Sequence, residues 1–197
     1  GNIFYYHQGS RWKEGEKLIR CNRFLEKQTN RFWCGTMANK KICEIGFNAG
    51  HSCLLLLLGR DLSPLEFTIF DINRHKYTLP CFEYIKSKFS HINFEFIGGN
   101  SIIEIPKWIN ANSNACNTYD IVHIDEGHSE ECINNDFKNT IKLLKSGGII
   151  IIDDTDSEHI SKYVDQYLNN GNFKELQIMN TGGSSNTFSH RIIQNIN

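Results

Sequence analysis

Nowhere in its 197 residues does this chain gather lysines and arginines into a run, and its formal net charge is −1. A protein that grips a phosphate backbone needs a basic face to displace the counterions of nucleic acid. No nucleic-acid partner is therefore expected. The chain has seven cysteines but no C-x-x-C pair, and several stand inside apolar runs, as small buried hydrophobes do. That pattern speaks against a zinc site or a disulfide framework, and for a reducing, cytoplasmic setting. The apolar runs are too short to cross a bilayer, and no signal-like segment is legible, so no membrane partner is expected either. Also missing is a G-x-G-x-x-G loop, which removes the main support for a nicotinamide-dependent oxidoreductase.

What is present is alternation. Strand-like segments lie at 41–46, 66–71, 93–98, 119–125 and 148–153, with helical patterns near 50–59, 80–89, 101–110, 129–146 and 156–169. The fourth helix is expected to end at Gly147-Gly148, and Pro80 to open the second. Two last strands are expected near 172–179 and 187–195. The run "GIIIID" is hydrophobic without a break, as a strand covered on both faces should be. Strand alternating with helix predicts an α/β fold, Rossmann-like, with a mainly parallel sheet between two helical layers. Residues 1–38 read as a helical extension that could serve as a substrate lid, and 39–197 as the main domain.

The chemistry concentrates at strand ends. "EIGFNAG" (44–50) places Glu44, Gly46, Asn48 and Gly50 where the first strand meets a helix. Glycines let backbone approach a ligand, and the helix start offers unpaired N–H groups. A tight turn with a cap would account for part of this. Asp71 ends the second strand, where an acid accepts hydrogen bonds from ribose hydroxyls or merely forms a turn. "HIDEGH" ends the fourth strand with Asp125 and His128, and "IIIIDDTD" the fifth with Asp153, Asp154 and Asp156. If those strands are neighbours, several carboxylates converge. An unpaired cluster would repel itself, so a divalent cation with oxygen ligands, Mg²⁺, Ca²⁺ or Mn²⁺, is the economical answer. Helix-capping acids explain one or two of the carboxylates. His123 reads as a core histidine, His51 as a cap or packing residue, Tyr84 and Lys88 as sharers of one helix face, and Cys132 as core.

Together, "ICEIGFNAGHSCLLLL", "FTIFDIN" and "YDIVHIDEGHSEECINNDFKNTIKLLKSGGIIIIDDTD" resemble class I S-adenosylmethionine-dependent methyltransferases over about residues 40–155. They are most similar to the metal-dependent O-methyltransferases of catechols and macrolide sugars. The resemblance implies a seven-stranded sheet of order 3-2-1-4-5-7-6 with the seventh strand antiparallel. It implies that Glu44, Gly46, Asn48 and Gly50 hold the methionine end of S-adenosyl-L-methionine, that Asp71 binds the ribose, and that Asn100 and Ser101 lie near the adenine. It further implies that Asp125, Asp153 and Asp154 ligate Mg²⁺ or Mn²⁺. Histidine is the side chain best matched to taking a proton near neutrality, and His128 follows Asp125 by three residues. His128, with Asp125, is therefore the catalytic candidate, and macrolide-sugar relatives resemble this chain in carrying histidine there.

The expected function is metal-assisted transfer of a methyl group to a hydroxyl of a small molecule, a sugar or a catechol-like diol. No [DN]-P-P-[YF] follows the fourth strand, which argues against methylation of base amino groups. The rivals are an NAD(P)-dependent oxidoreductase on a similar sheet and a non-catalytic nucleoside-binding module. Whether the chain assembles as a homo-oligomer stays open.

Overall fold

The computed structural model describes residues 14–125, 127, 129–178 and 190–197, with the side chains of 14–24 left aside. Seven strands form one sheet: β1 (Lys41–Ile45), β2 (Leu65–Asp71), β3 (Ile92–Gly98), β4 (Tyr119–Ile124), β5 (Leu144–Asp153), β6 (Phe173–Glu175) and β7 (His190–Asn195). The helices are α1 (Glu14–Met37), α2 (His51–Leu58), α3 (Thr78–Lys88), α4 (Ser101–Ala111), α5 (Glu130–Leu143) and α6 (Glu158–Asn169). The strand order is β3-β2-β1-β4-β5-β7-β6. β1 to β5 pair in parallel, and β7 runs antiparallel to both β5 and β6. The order and the antiparallel seventh strand are those expected.

Side chains of a strand alternate between faces, and the core splits accordingly. Ile42, Phe67, Ile121 and Ile151 pack with Cys34, Leu56 and Phe82 on the α1–α2–α3 face. Cys43, Val122, Ile150 and Ile152 pack with Ile105, Phe137 and Val164 on the α4–α5–α6 face. The same alternation sends Glu44, His123 and Asp153 toward α1, because each shares its parity with Ile42, Ile121 or Ile151. Three polar residues thus enter one apolar face.

Two boundaries differ from expectation. The helix expected over 129–146 stops at Leu143, and β5 begins at Leu144, which pairs with Tyr119 and is fully buried. Burying Leu144 against the sheet outweighs another helical turn, and Gly147-Gly148 falls in the irregular step between the Tyr119–Leu144 and Ile121–Ile149 pairs. The strand expected at 172–179 shrinks to Phe173–Glu175. The part of the last expected strand before His190 lies outside the described residues, as do residues 1–13 of the expected helical extension.

α1 is not loosely attached along its second half. A Cβ on Gly35 would stand 2.1 Å from the Leu56 carbonyl oxygen, and one on Gly59 2.1 Å from that of Phe32. Asn30, Arg31, Cys34 and Ala38 are buried. The glycines let two helices meet backbone to backbone, a contact no larger residue would allow.

Candidate active site at the carboxyl ends of β1, β2, β4 and β5

The loop after β1 is held in a conformation that its sequence makes affordable. Gly46, Asn48 and Gly50 all have positive φ, at 93°, 53° and 78°. Asparagine is among the few side chains that tolerate this region. At Gly50 a Cβ would also lie 2.5 Å from the Phe47 ring and 2.6 Å from Ile85. The loop is pinned by Asp71: its Oδ2 accepts from the backbone N–H of Phe47 (2.9 Å) and Asn48 (2.8 Å), and its Oδ1 from Asn73 (2.6 Å). Asp71 is 5% exposed. The residue expected to bind ribose therefore also organises the loop expected to bind the methionine end. Tyr77 adds a bond from its hydroxyl to Asn48 Oδ1 (2.7 Å) and stacks on His75.

Glu44 is fully buried. Its Oε1 accepts from the Ser52 hydroxyl and faces His123 Nδ1 at 3.1 Å, across the β1–β4 pair Glu44↔His123. Its Oε2 has no hydrogen-bond partner among the described residues. On the other side of the ring, His123 Nε2 faces Arg31 Nη2 at 3.3 Å. A guanidinium only donates, so Nε2 accepts and the ring proton sits on Nδ1, directed at Glu44. Burial, opposed by the Glu44 bond and assisted by Arg31, lowers the His123 pKa. His123 is a core histidine, as expected, wired between two charged groups.

β4 and β5 are neighbours, and their terminal acids converge. Asp125, Asp153 and His123 offer donor atoms within 4.8 Å of one another. Arg31 Nη2 contacts all three: 2.6 Å to Asp153 Oδ2, 3.2 Å to Asp125 Oδ2 and 3.3 Å to His123. Lys27, one helical turn earlier, pairs with Asp153 Oδ1 and lies 4.0 Å from Asp154 Oδ1. Burial works against the Asp153 charge, but Arg31 and Lys27 outweigh it and hold its pKa near 2. Burial and then the Asp153 charge push the Asp125 pKa up. β5 ends at Asp153, and Asp154 takes a left-handed φ of 53°, so the chain turns where the two adjacent acids diverge.

A divalent ion at this cluster meets a specific obstacle. The three donors have the spacing of a metal site, yet a cationic nitrogen already touches each of them and a second cation covers the other oxygen of Asp153. The residues in this arrangement do not fit a divalent ion.

The remaining expected site residues are accounted for locally. Asn100 caps α4, its side chain accepting from Ile102 N at 3.0 Å. Ser101 is buried beside Cys132 (3.6 Å) on α5. His51 opens α2 and Lys88 lies over the Tyr84 ring on the same helix. His128 lies outside the described residues. Lys27, Asn30 and Arg31 were not legible as site residues. The available signal was their i, i+3, i+4 spacing just ahead of Cys34 and Ala38, which puts them on the buried stripe of α1.

A methyltransferase-domain model matches residues 43–155, more than half of the chain. The chain is a class I S-adenosylmethionine-dependent methyltransferase. No curated protein sequence matches it. Among solved structures, it is similar to an O-methyltransferase from Bacillus cereus in complex with S-adenosylhomocysteine, at 15% identity and a TM-score of 0.61, covering 96% of this chain and 84% of that one. It is similar to CalS11, a TDP-rhamnose 3′-O-methyltransferase of calicheamicin biosynthesis, at 11% identity and a TM-score of 0.63, covering 92% and 83%. It is also similar to the N-methyltransferase NodS from Bradyrhizobium japonicum, at 16% identity and a TM-score of 0.58, covering 89% and 97%. These likenesses share a fold, and the fold serves more than one acceptor atom. Family membership removes the oxidoreductase alternative. No helix among the described residues is long and apolar enough to cross a membrane.

Proposed function

We propose that this methyltransferase acts on a hydroxyl oxygen of a small molecule, of the sugar or vicinal-diol class. The observation that carries the reading is the convergence of Asp125 and Asp153 beside a left-handed loop that Asp71 pins from the next strand. The loop and a polar, charge-rich floor share one edge of the sheet, the usual position for ligands in such folds, which supports reading the loop as a cofactor cradle. Among the similar structures are several O-methyltransferases, one of them named for a nucleotide sugar, and these support the choice of oxygen.

The residues present fit S-adenosylmethionine. Glu44 keeps a buried oxygen without a partner, which answers a cationic group at the methionine end, and Gly46 and Gly50, which have no Cβ, let a ligand approach the loop backbone. Asp71 has about four acceptor sites and spends three on backbone amides, so a ribose hydroxyl would take the last. Asn100 and Ser101, at the start of α4, would border the adenine. Bound there, the cofactor supplies an electrophilic methyl group on a sulfonium. The chain's own part is to hold the acceptor in line with it, which reduces the entropic barrier, and to accept the hydroxyl proton. His128, three residues after Asp125 in the sequence, is the proposed base.

The test is calorimetry with S-adenosylhomocysteine together with a methyl-transfer screen of nucleotide sugars and catechols. Binding at about one per chain, with transfer to one hydroxyl acceptor, is the expected result. Transfer only to amine acceptors would overturn the choice of oxygen.

A further inference from the structure

We propose that Arg31 and Lys27 permanently replace the divalent cation at the ends of β4 and β5, so that this methyltransferase neither binds nor needs one. The proposal rests on the methyltransferase reading of the fold. Its geometric ground is that Arg31 Nη2 lies within hydrogen-bonding distance of His123, Asp125 and Asp153 at once, the place a shared ion would take. Lys27 covers the remaining Asp153 oxygen.

The charge count agrees. Arg31 and Lys27 together bring two fixed positive charges to Asp125, Asp153 and Asp154, the charge that one divalent ion would bring. Adding an ion to the pair would leave an excess of positive charge in a largely buried site, where like charges repel strongly.

Permanence follows from the packing of α1. The Asn30 amide bonds His190 Nε2 at 2.8 Å, and the tight crossing at Gly35 and Gly59 locks the helix to α2. Arg31 is 5% exposed, so its guanidinium cannot swing into solvent without opening that interface. A guanidinium stays charged at every relevant pH and donates in fixed directions, which suits a structural cation. It does not lower the pKa of a hydroxyl as a metal does. The acceptor proton therefore needs a protein base, which raises the demand on His128.

The experiment titrates Mn²⁺ alone into the full chain, followed by the paramagnetic resonance of the free ion, with S-adenosylhomocysteine affinity measured in parallel. Wild type should bind no stoichiometric Mn²⁺. The double variant Lys27→Met/Arg31→Met should gain one site, at least about tenfold tighter than any wild-type binding, and Asp153→Asn in that background should abolish it. Lys27→Met alone, which uncovers one Asp153 oxygen, should gain weaker binding if the double variant does not fold. One Mn²⁺ bound by wild type and lost in Asp153→Asn would overturn the proposal. So would no gain in either variant, because the cations would then be replacing nothing. Loss of S-adenosylhomocysteine binding by wild type would instead count against the methyltransferase reading, independently of the metal result.

Discussion

Asp71 offers the sharpest division between a ligand contact and a structural one. In the substitution Asp71→Asn the shape is kept, but one of the two oxygens becomes an NH₂ group. If the remaining oxygen serves Phe47 and Asn48, the NH₂ meets the Asn73 N–H, donor against donor; if it turns the other way, two amides lose their acceptor. A hydrogen bond to a charged group contributes about 1.5–3 kcal/mol, and a buried donor left unpaired costs about 1–3 kcal/mol. The less damaging orientation sacrifices one bond, so the variant should lose about 2–3 kcal/mol without any ligand present. For a chain of this length about 2–4 °C of Tm accompanies each kcal/mol, so a fall of roughly 4–12 °C is expected in differential scanning calorimetry. S-adenosylhomocysteine affinity should fall as well, because the loop and the ribose depend on the same carboxylate. An acid that only met a ribose would leave the ligand-free Tm where it was. A ligand-free variant melting with wild type would therefore refute the claim that Asp71 holds the loop.

His190 supplies a prediction in pH. Burial first, then Arg31 and Lys27, lower its pKa to about 4 against the pull of Asp153 and Glu26. The unfolded chain then takes up a proton near pH 6.5 that the fold refuses, so this contribution to stability is present above about 6.5 and is lost as pH falls toward 4, by up to about 3 kcal/mol. Asp125, with its pKa raised, works in the opposite sense over much of that window. The measurement is therefore a difference: urea unfolding of wild type minus His190→Gln should narrow or reverse as pH falls through that range, and a difference independent of pH would sink the assignment. For His128, a base assignment predicts that His128→Ala lowers kcat by about 10²–10⁴-fold with S-adenosylhomocysteine affinity unchanged; a rate within a few-fold of wild type removes it from the mechanism.

How much of this was legible beforehand depended on whether the signal was local. The five parallel strands follow from short apolar runs separated by helical patterns, their order was implied only by the resemblance to class I methyltransferases, and the strand-end acids Asp71, Asp125 and Asp153 announce themselves because a carboxylate at the end of a buried strand is costly without a partner. The glycines of "EIGFNAG" are equally local: positive φ at Gly46 and Gly50 is a property of those positions. The step into β5 was not legible in that way. "KLLKSGG" reads as a helix ending at glycine, and only the nonlocal pairing of Leu144 with Tyr119, together with its burial, turns those residues into strand.

The partners of the acids were the least local feature. A cluster of carboxylates implies positive charge, and sequence alone cannot say whether that charge is an ion or a side chain from far along the chain. Arg31 and Asp153 are 122 positions apart, so their pairing is set by how α1 crosses α2. Two glycines, Gly35 and Gly59, decide that crossing by letting the helix backbones touch. The choice between a bound metal and a resident arginine therefore rests on residues that carry no charge and line no site. A bulkier side chain at Gly35 would push α1 off α2, and Arg31 would leave the carboxylates with it. The electrostatics of the strand ends is, in this chain, a consequence of helix packing.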